Sequence, residues 1–426
     1  MFARIDLLAE IAWRGLLHQQ SDGLRSHLEA GPVAGYCGFD PTAPSLHIGN
    51  LVPMMVLVHL ARAGHRAVAL VGGGTAMIGD PSGKSSERPL ISAAEIDENA
   101  ARIREQLTRL FAAAGTEGVE LRNNADWLRE ALAIDFMRDV GKHFSVNYML
   151  GKDSVQSRLE TGISYTEFSY MLLQAFDFLR LHQTDGVTLQ VGGSDQWGNI
   201  TAGTELVRRA ASAEAHGLTA PLITTASGKK FGKTESGAVW LDPVLTSHYQ
   251  FYQFWVNTED ADVGRYARMF TLMGREEIEA MERQHAEAPH ERAAQRTIAA
   301  AVTALLHGDR AARMAAEVSR IIFDRKADPH AIGDDVYATL AAEIPAVRLG
   351  GGDASVLDVL EQAFALSRGA GRKLIQQGAV TVNGEKLPAD ALTVPPEKAV
   401  RRRWLLVRKG GRDIALAELA GSTGSS

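Results

Sequence analysis

His47 and Asn50 stand three residues apart in the segment Asp40-Pro-Thr-Ala-Pro-Ser-Leu-His-Ile-Gly-Asn50. That spacing puts both on one face of a first helical turn, where free backbone N–H groups and the positive end of the helix dipole favour a phosphate. Gly49 between them leaves the approach open, and Ser45 is placed as a helix N-cap. A second phosphate-seeking pattern is Lys230-Phe-Gly-Lys-Thr234, inside the Gly- and Ser-rich stretch from Ser227 to Gly237. Two lysines on a loop able to close can supply positive charge as a pyrophosphate departs. A third is Asp80-Pro-Ser-Gly-Lys84 followed by Arg88, two cations for the same phosphates and a carboxylate for an ammonium. Its Gly-Lys-Ser is not a P-loop, because the residue five before Gly83 is Ile78 rather than glycine.

A different constellation suits a small polar ligand. Tyr170, Gln174 and Asp177 lie at i, i+4 and i+7 among Phe168, Met171, Leu172 and Leu173, so on a helix all three share one face. That face either lines a pocket or is the solvent side of an amphipathic helix. Gly192-Gly-Ser-Asp-Gln-Trp-Gly-Asn199 follows an apolar run; its glycines let backbone approach a nucleotide, and Asp195 can take ribose hydroxyls.

These groups need a scaffold that brings them together. Val33 to Phe39, Ala67 to Gly72 and Val187 to Gly192 read as buried strands, with helical periodicity over Leu46 to Ala63 and about Ser92 to Ala114. Strand alternating with helix means a parallel sheet, and ligands of such sheets sit outside the carboxyl ends of the strands. The fold class expected is therefore α/β, with a Rossmann-like catalytic domain over 1–222 and the loop of the second motif with a linker over 223–247. A helical domain is expected over 248–325, where the composition turns Ala/Glu/Arg-rich. Pro345 and Gly350-Gly351-Gly352 make 326–353 read as a linker, followed by a small α+β domain over 354–426 with an Asn383-Gly384 hairpin turn. Pro53 inside the first long helix is expected to kink it.

At 426 residues and 45% hydrophobic composition the chain is an ordinary globular protein of two to four domains at roughly 100–200 residues each. Cys37 is the only cysteine, which excludes an internal disulfide and a multi-cysteine zinc site; no structural metal is expected. No apolar stretch is long enough to span a membrane, and the first twelve residues carry Arg4, Asp6 and Glu10 where a secretory leader would be apolar; the expectation is cytoplasmic. The net charge of −6 hides an asymmetry. From Ala365 onward eleven Lys/Arg face five Asp/Glu, a local +6, which leaves −12 for the rest. A basic terminal module on an acidic body is the distribution of an appended nucleic-acid-binding domain.

The motif around His47 resembles the HIGH signature of class I aminoacyl-tRNA synthetases, with Asn50 in place of the last histidine, and Lys230 to Thr234 resembles their KMSKS signature. In this order, and over nearly the whole chain, the motifs resemble the bacterial tyrosyl-tRNA synthetase family. The resemblance implies a homodimeric tyrosine–tRNA ligase that uses ATP, accompanied by Mg2+, and partners L-tyrosine and tRNA(Tyr). It implies that Tyr36 and Asp177 bind the substrate phenol, that Asp80, Tyr170 and Gln174 hold its ammonium, and that Gln196 contacts its carboxyl group. Cys37, Gly38, Asp40, Gly49, Asn50, Gly193 and Asp195 would line the ATP and adenylate site. Thr42, His47, Lys84, Arg88, Lys230, Lys233 and Thr234 would stabilise the reacting phosphates. The stretch from Ser367 to Lys386 resembles an S4 RNA-binding domain, with Arg368, Arg372 and Lys373 toward RNA; Arg208 and Arg209 could meet the acceptor stem or simply be solvated. A tryptophan-specific relative is the rival enzyme; against it, Tyr36 and Asp177 form a donor–acceptor pair for a phenol, and tryptophan-specific relatives lack the S4 tail. A non-catalytic RNA-binding protein on this scaffold would be expected to lose His47, Lys230 or Lys233.

Overall fold

The computed structural model describes residues 5–82, 91–116, 118–159, 162–228, 231–234, 237–411 and 413–420, with the backbone alone at Ser154, Lys233 and Thr234. The chain divides into two compact units, Met1–Gly308 and Asp309–Ser426.

The first unit is built on six strands: β1 (Gln19–Gln20), β2 (Ala34–Phe39), β3 (Arg66–Val71), β4 (Glu120–Asn123), β5 (Val187–Gly193) and β6 (His216–Ala220). Their order is β1-β6-β5-β2-β3-β4, parallel throughout except for β1 against β6. β2 and β3 are buried along almost their whole length because helices cover both faces, which is why they read as continuous apolar runs. β2 has β5 on one side and β3 on the other, so the chain reverses its direction of travel across the sheet there, and the crevice at that reversal is where an open α/β sheet binds ligands.

The helices carrying the motifs follow their local signals. Helix Ala93–Ala113 starts at Ser92, whose side chain accepts the Glu95 N–H, and helix Tyr165–Asp185 starts likewise at Ser164 and ends on Gly186 in the left-handed region. Helix Leu51–Arg62 is continuous, and Pro53 does not interrupt it. The proline falls in the first turn, where the N–H it lacks has no partner within the helix in any case. Beyond the sheet, β7 (Lys233–Thr234) and β8 (Gly237–Ala238) form a short antiparallel pair. Helices His248–Val256, Val263–Phe270, Arg275–Glu287 and Ala293–His307 then close the unit.

In the second unit, β9 (Ala346–Leu349), β10 (Ala354–Ser355), β11 (Val380–Val382), β12 (Glu385–Lys386), β13 (Thr393–Val394), β14 (Trp404–Lys409) and β15 (Asp413–Leu419) accompany four α-helices among the described residues. Five strands form one sheet in the order β12-β11-β14-β15-β9, antiparallel except for β15 against β9. Leu357, Leu360 and Ile375 from helices Val356–Phe364 and Arg368–Gln376 pack with Val380, Leu405 and Ala417 of that sheet. Asn383 and Gly384 both have positive φ, the hairpin turn expected there. The segment 326–353, read from sequence as a linker, carries helix Asp334–Glu343 and strand β9. Only Val347 and Leu349 of β9 face inward, a two-residue alternation too short to stand out beside the following glycines. The helical stretch expected over 248–325 is divided, since helix Asp309–Phe323 belongs to the second unit.

Candidate active site

The carboxyl ends of β2, β3, β4 and β5 meet helix Tyr165–Asp185 around a chain of buried polar groups. Asp177 is almost fully enclosed; its Oδ2 accepts from Asn124 Nδ2 at 2.8 Å and its Oδ1 from Trp127 Nε1 at 2.8 Å. Asn124 Nδ2 also donates to Thr75 Oγ1 at 2.9 Å, and Thr75 donates onward to Asp40 Oδ1 at 2.7 Å. The other oxygen of Asp40 accepts from the Tyr170 hydroxyl at 2.8 Å. Asp40 comes this close to the sheet because position 72 is glycine: a Cβ there would lie 1.9 Å from Asp40 Oδ1.

Burial dominates the titration of this cluster. It lifts the Asp177 carboxyl to about 8, against the two N–H donors that favour its ionised form. It also lifts the Tyr170 hydroxyl well above its usual range, reinforced chiefly by Asp40 and Asp80, so two carboxylates flank one hydroxyl, a field that favours an ammonium. Tyr36 is raised by burial and by the neighbouring Asp177 charge. Its hydroxyl is buried with no hydrogen-bond partner among the described residues, while its ring meets Phe178 edge-on at 5.3 Å. An orphaned buried hydroxyl beside a carboxylate is the complement of a phenol, which both donates and accepts.

Next to this pocket, Asp80 Oδ2 accepts from Gln196 Nε2 at 2.7 Å, and its Oδ1 accepts from the Ser82 N–H at 3.0 Å and from Asn199 Nδ2 at 3.5 Å. Asn199 Nδ2 also donates to Gln196 Oε1 at 3.1 Å. Gln174 is half-buried on the same helix as Tyr170 and Asp177. Gly193 ends β5 and Asp195 is exposed just beyond it. Cys37 is buried within β2, its thiol pushed up by burial to about 12, and Gly38 is the exposed position of that strand.

The first signature is organised by its own side chains. His47, not Ser45, is the N-cap of the turn Ile48–Asn50: its Nδ1 accepts the Gly49 N–H at 3.1 Å, and Asn50 Oδ1 accepts the His47 N–H at 2.9 Å. Asn50 therefore uses its amide oxygen on the backbone of His47. Thr42 donates its N–H to the Asp40 carbonyl at 2.9 Å. In the second signature, Phe231 is buried and stacks on Phe270 at 5.2 Å, also meeting Phe254, Trp255 and Tyr266. Gly232 lies against Ile48, where a Cβ would come within 2.4 Å of Ile48 Cγ2. Lys84, Arg88 and Lys230 lie outside the described residues, and Lys233 and Thr234 form β7.

The arginines proposed for RNA are mostly engaged. Arg208 and Arg209 both bind Glu205, whose carboxyl they lower to about 2, and Arg209 also donates to the His143 carbonyl at 2.8 Å. Arg368 pairs with Asp358 at 2.7 Å and with Glu361 at 3.5 Å, whereas Arg372 and Lys373 are exposed on helix Arg368–Gln376. Sequence reasoning missed Thr75, Asn124, Trp127 and Asn199. Asn124 had one legible signal: it follows a strand, at the edge where ligands sit.

A model of class I tRNA synthetases of the tryptophan and tyrosine type matches residues 28–324, and a tyrosine–tRNA ligase C-terminal domain model matches residues 337–417. The chain is 50% identical to the tyrosine–tRNA ligase of Bacillus caldotenax, over 98% of this chain and all of that one. The chain belongs to the tyrosine–tRNA ligase family. A second member, from Anaeromyxobacter dehalogenans, is 49% identical over 97% of this chain and 99% of its own. Among solved structures, a C-terminally truncated mitochondrial tyrosyl-tRNA synthetase of Coccidioides posadasii matches with TM-score 0.66 and 35% identity, covering 74% of this chain and 92% of its own. The matched C-terminal domain places this ligase on the tyrosine side of a catalytic model shared with the tryptophan enzymes. Among its described residues no helix is long and apolar enough to cross a membrane.

Proposed function

We propose that this ligase activates L-tyrosine with ATP at the crevice beside β2 and β5, and then passes the tyrosyl group to the 3′-terminal adenosine of tRNA(Tyr). The observation that carries the reading is the buried Tyr36 hydroxyl, without a hydrogen-bond partner among the described residues, beside Asp177. A tyrosine phenol donates to Asp177 and accepts from Tyr36, and phenylalanine leaves both groups unmatched. Asp80, Tyr170 and Gln174 take the ammonium, with Asp40 holding the Tyr170 hydroxyl, and Gln196 takes the carboxyl group. Cys37, Gly38, Gly49, Asn50, Gly193 and Asp195 line the nucleotide.

In activation a carboxylate oxygen of tyrosine forms a bond to the α-phosphorus while the bond from that phosphorus to the bridging oxygen breaks, and pyrophosphate leaves with the electron pair. No enzyme nucleophile is needed, so positioning and charge carry the catalysis. Thr42, His47, Lys84, Arg88, Lys230, Lys233 and Thr234 supply the donors and cations, and Mg2+ enters on the ATP phosphates. Arg372 and Lys373, with Arg368, meet the tRNA backbone. The ligase works in the cytosol as a homodimer, a reading supported by Leu132, Ile134, Met137 and Val146, which expose apolar side chains within one stretch of chain.

The test is exchange of labelled pyrophosphate into ATP, run with each of the twenty amino acids in turn. Tyrosine alone should support it, and Tyr36→Phe should narrow the tyrosine-over-phenylalanine ratio roughly two- to tenfold, the net worth of one buried hydrogen bond. An unchanged ratio removes Tyr36 from the phenol site; exchange with another amino acid overturns the reading.

A further inference from the structure

Gln106 is buried on helix Ala93–Ala113, and nothing in the reaction above uses it. Its Oε1 accepts the Leu46 N–H at 3.0 Å and its Nε2 donates to Ser45 Oγ at 3.1 Å. Ser45 Oγ in turn donates to the Leu46 carbonyl at 2.6 Å and accepts the Asp242 N–H at 3.1 Å. One amide and one hydroxyl thus join three segments: the long helix, the approach to the first signature, and the chain that leaves the second.

The last two of these also pair directly. Leu241 donates its N–H to the Leu46 carbonyl at 2.9 Å, and Ile48 donates to the Val239 carbonyl at 2.9 Å, so 46–48 and 239–241 run antiparallel with His47 bridged to Trp240. Val239 donates to the Gly232 carbonyl at 3.0 Å. A continuous path of backbone hydrogen bonds therefore leads from Gly232 in the second signature to Ile48 in the first. A slip of one residue in so short a pairing would turn His47 to the opposite face. Ser45 and Gln106 fix the register from the side, because their hydrogen bonds fit only if Leu46 and Asp242 stand where they do. Asn99, seven residues before Gln106 on the same helix face, holds the Pro41 carbonyl at 3.3 Å. A buried amide with both ends used is unfavourable to desolvate and specific once satisfied; an apolar side chain would fill the space without setting the register.

We propose that Ser45 and Gln106 are positioning residues for tyrosyl-adenylate formation, holding His47 in register with the segment that follows the second signature so that the two phosphate-handling motifs keep one mutual geometry. This rests on the reading that His47 acts on the reacting phosphates. Neither residue touches substrate. Their loss should therefore slow the chemical step and spare tyrosine binding, since misplacing a catalytic group by about 1 Å can slow a reaction by up to about a hundredfold.

The experiment uses the full-length protein with Ser45→Ala, Gln106→Met, the double variant and His47→Ala. It measures kcat and KM in tyrosine-dependent pyrophosphate exchange, and tyrosine Kd by equilibrium dialysis. Each single variant should lower kcat roughly tenfold or more with tyrosine Kd unchanged. The double variant should be no slower than the worse single one, because the two side chains act as one unit. If Gln106→Met fails to fold, Ser45→Ala, the smaller change, carries the test. A wild-type kcat in soluble Ser45→Ala while His47→Ala is slow overturns the positioning role alone. A wild-type kcat in His47→Ala overturns the underlying reading of the motif. A parallel fall of kcat and tyrosine affinity in the Ser45 and Gln106 variants shows a general structural role and also overturns the proposal.

Discussion

Asp177 is held between opposing effects: enclosure disfavours its charge, and the Asn124 and Trp127 N–H groups favour it. Enclosure wins, and the folded carboxyl titrates near 8 rather than near 3.8. The folded chain therefore binds this proton more tightly than the unfolded one. The group places no penalty on the fold below about pH 4; its penalty grows as pH rises and is complete above about 8. Asp177→Asn removes that ionisation, so the variant should lose less melting temperature between pH 5 and pH 8 than the wild type; an equal loss would show that Asp177 is ionised throughout. The sequence makes Asp177 visible because Tyr170 and Gln174 share its helix face. It hides the groups that tune it, since Asn124 and Trp127 lie 53 and 50 residues away along the chain and no periodicity connects them. Tyr170 shows the same limit: its spacing indicates a pocket, yet its hydroxyl bonds Asp40, 130 residues distant.

At the scale of elements, strands β2, β3 and β5 are legible because each is an apolar run buried on both faces and closed by glycine or Asp-Pro. Short pairings are not, as β9 shows, and neither is the pairing of 46–48 with 239–241, whose two sides are some two hundred residues apart. That pairing gives Gly232 a specific task. It has φ +77 and Ile48 against it, so Gly232→Ala adds both backbone strain and a clash between the signatures. The expected result is a loss of about 1–2 kcal/mol of stability from the left-handed conformation alone, with slower pyrophosphate exchange. Ile48→Ala in the same chain, which removes the Cγ2 that the new Cβ would meet, should recover part of the rate by making room, but not the strain, with stability read against Ile48→Ala alone. Full recovery of stability in the double variant would mean that the clash, not φ, is the obstacle.

For the whole molecule, the formal charge of the C-terminal region overstates what is free to meet RNA. Arg401, Arg402 and Arg403 pair with Asp334, Glu397 and Glu418, and Arg408 is turned toward the carbonyls of Ile321 and Ile322. Arg372 and Lys373 have no ion pair among the described residues and stand exposed. Replacing both with alanine should flatten the slope of log tRNA affinity against log salt by about one unit each, and Arg402→Ala by less. Deleting 309 onward, at the boundary between the compact units rather than at the glycines 350–352, should leave pyrophosphate exchange intact and abolish or greatly weaken charging. A cut at the glycines would split β9 from β15. That parallel pair also bears on the order in which the protein is made. All six strands of the catalytic sheet lie before residue 221, whereas β9 has no neighbour until β15, ending at Leu419, has emerged. At a ribosomal pace of roughly 5–20 residues per second, the first unit, whole at Gly308, stands for about 6–22 s before β15 has emerged and the second sheet can close.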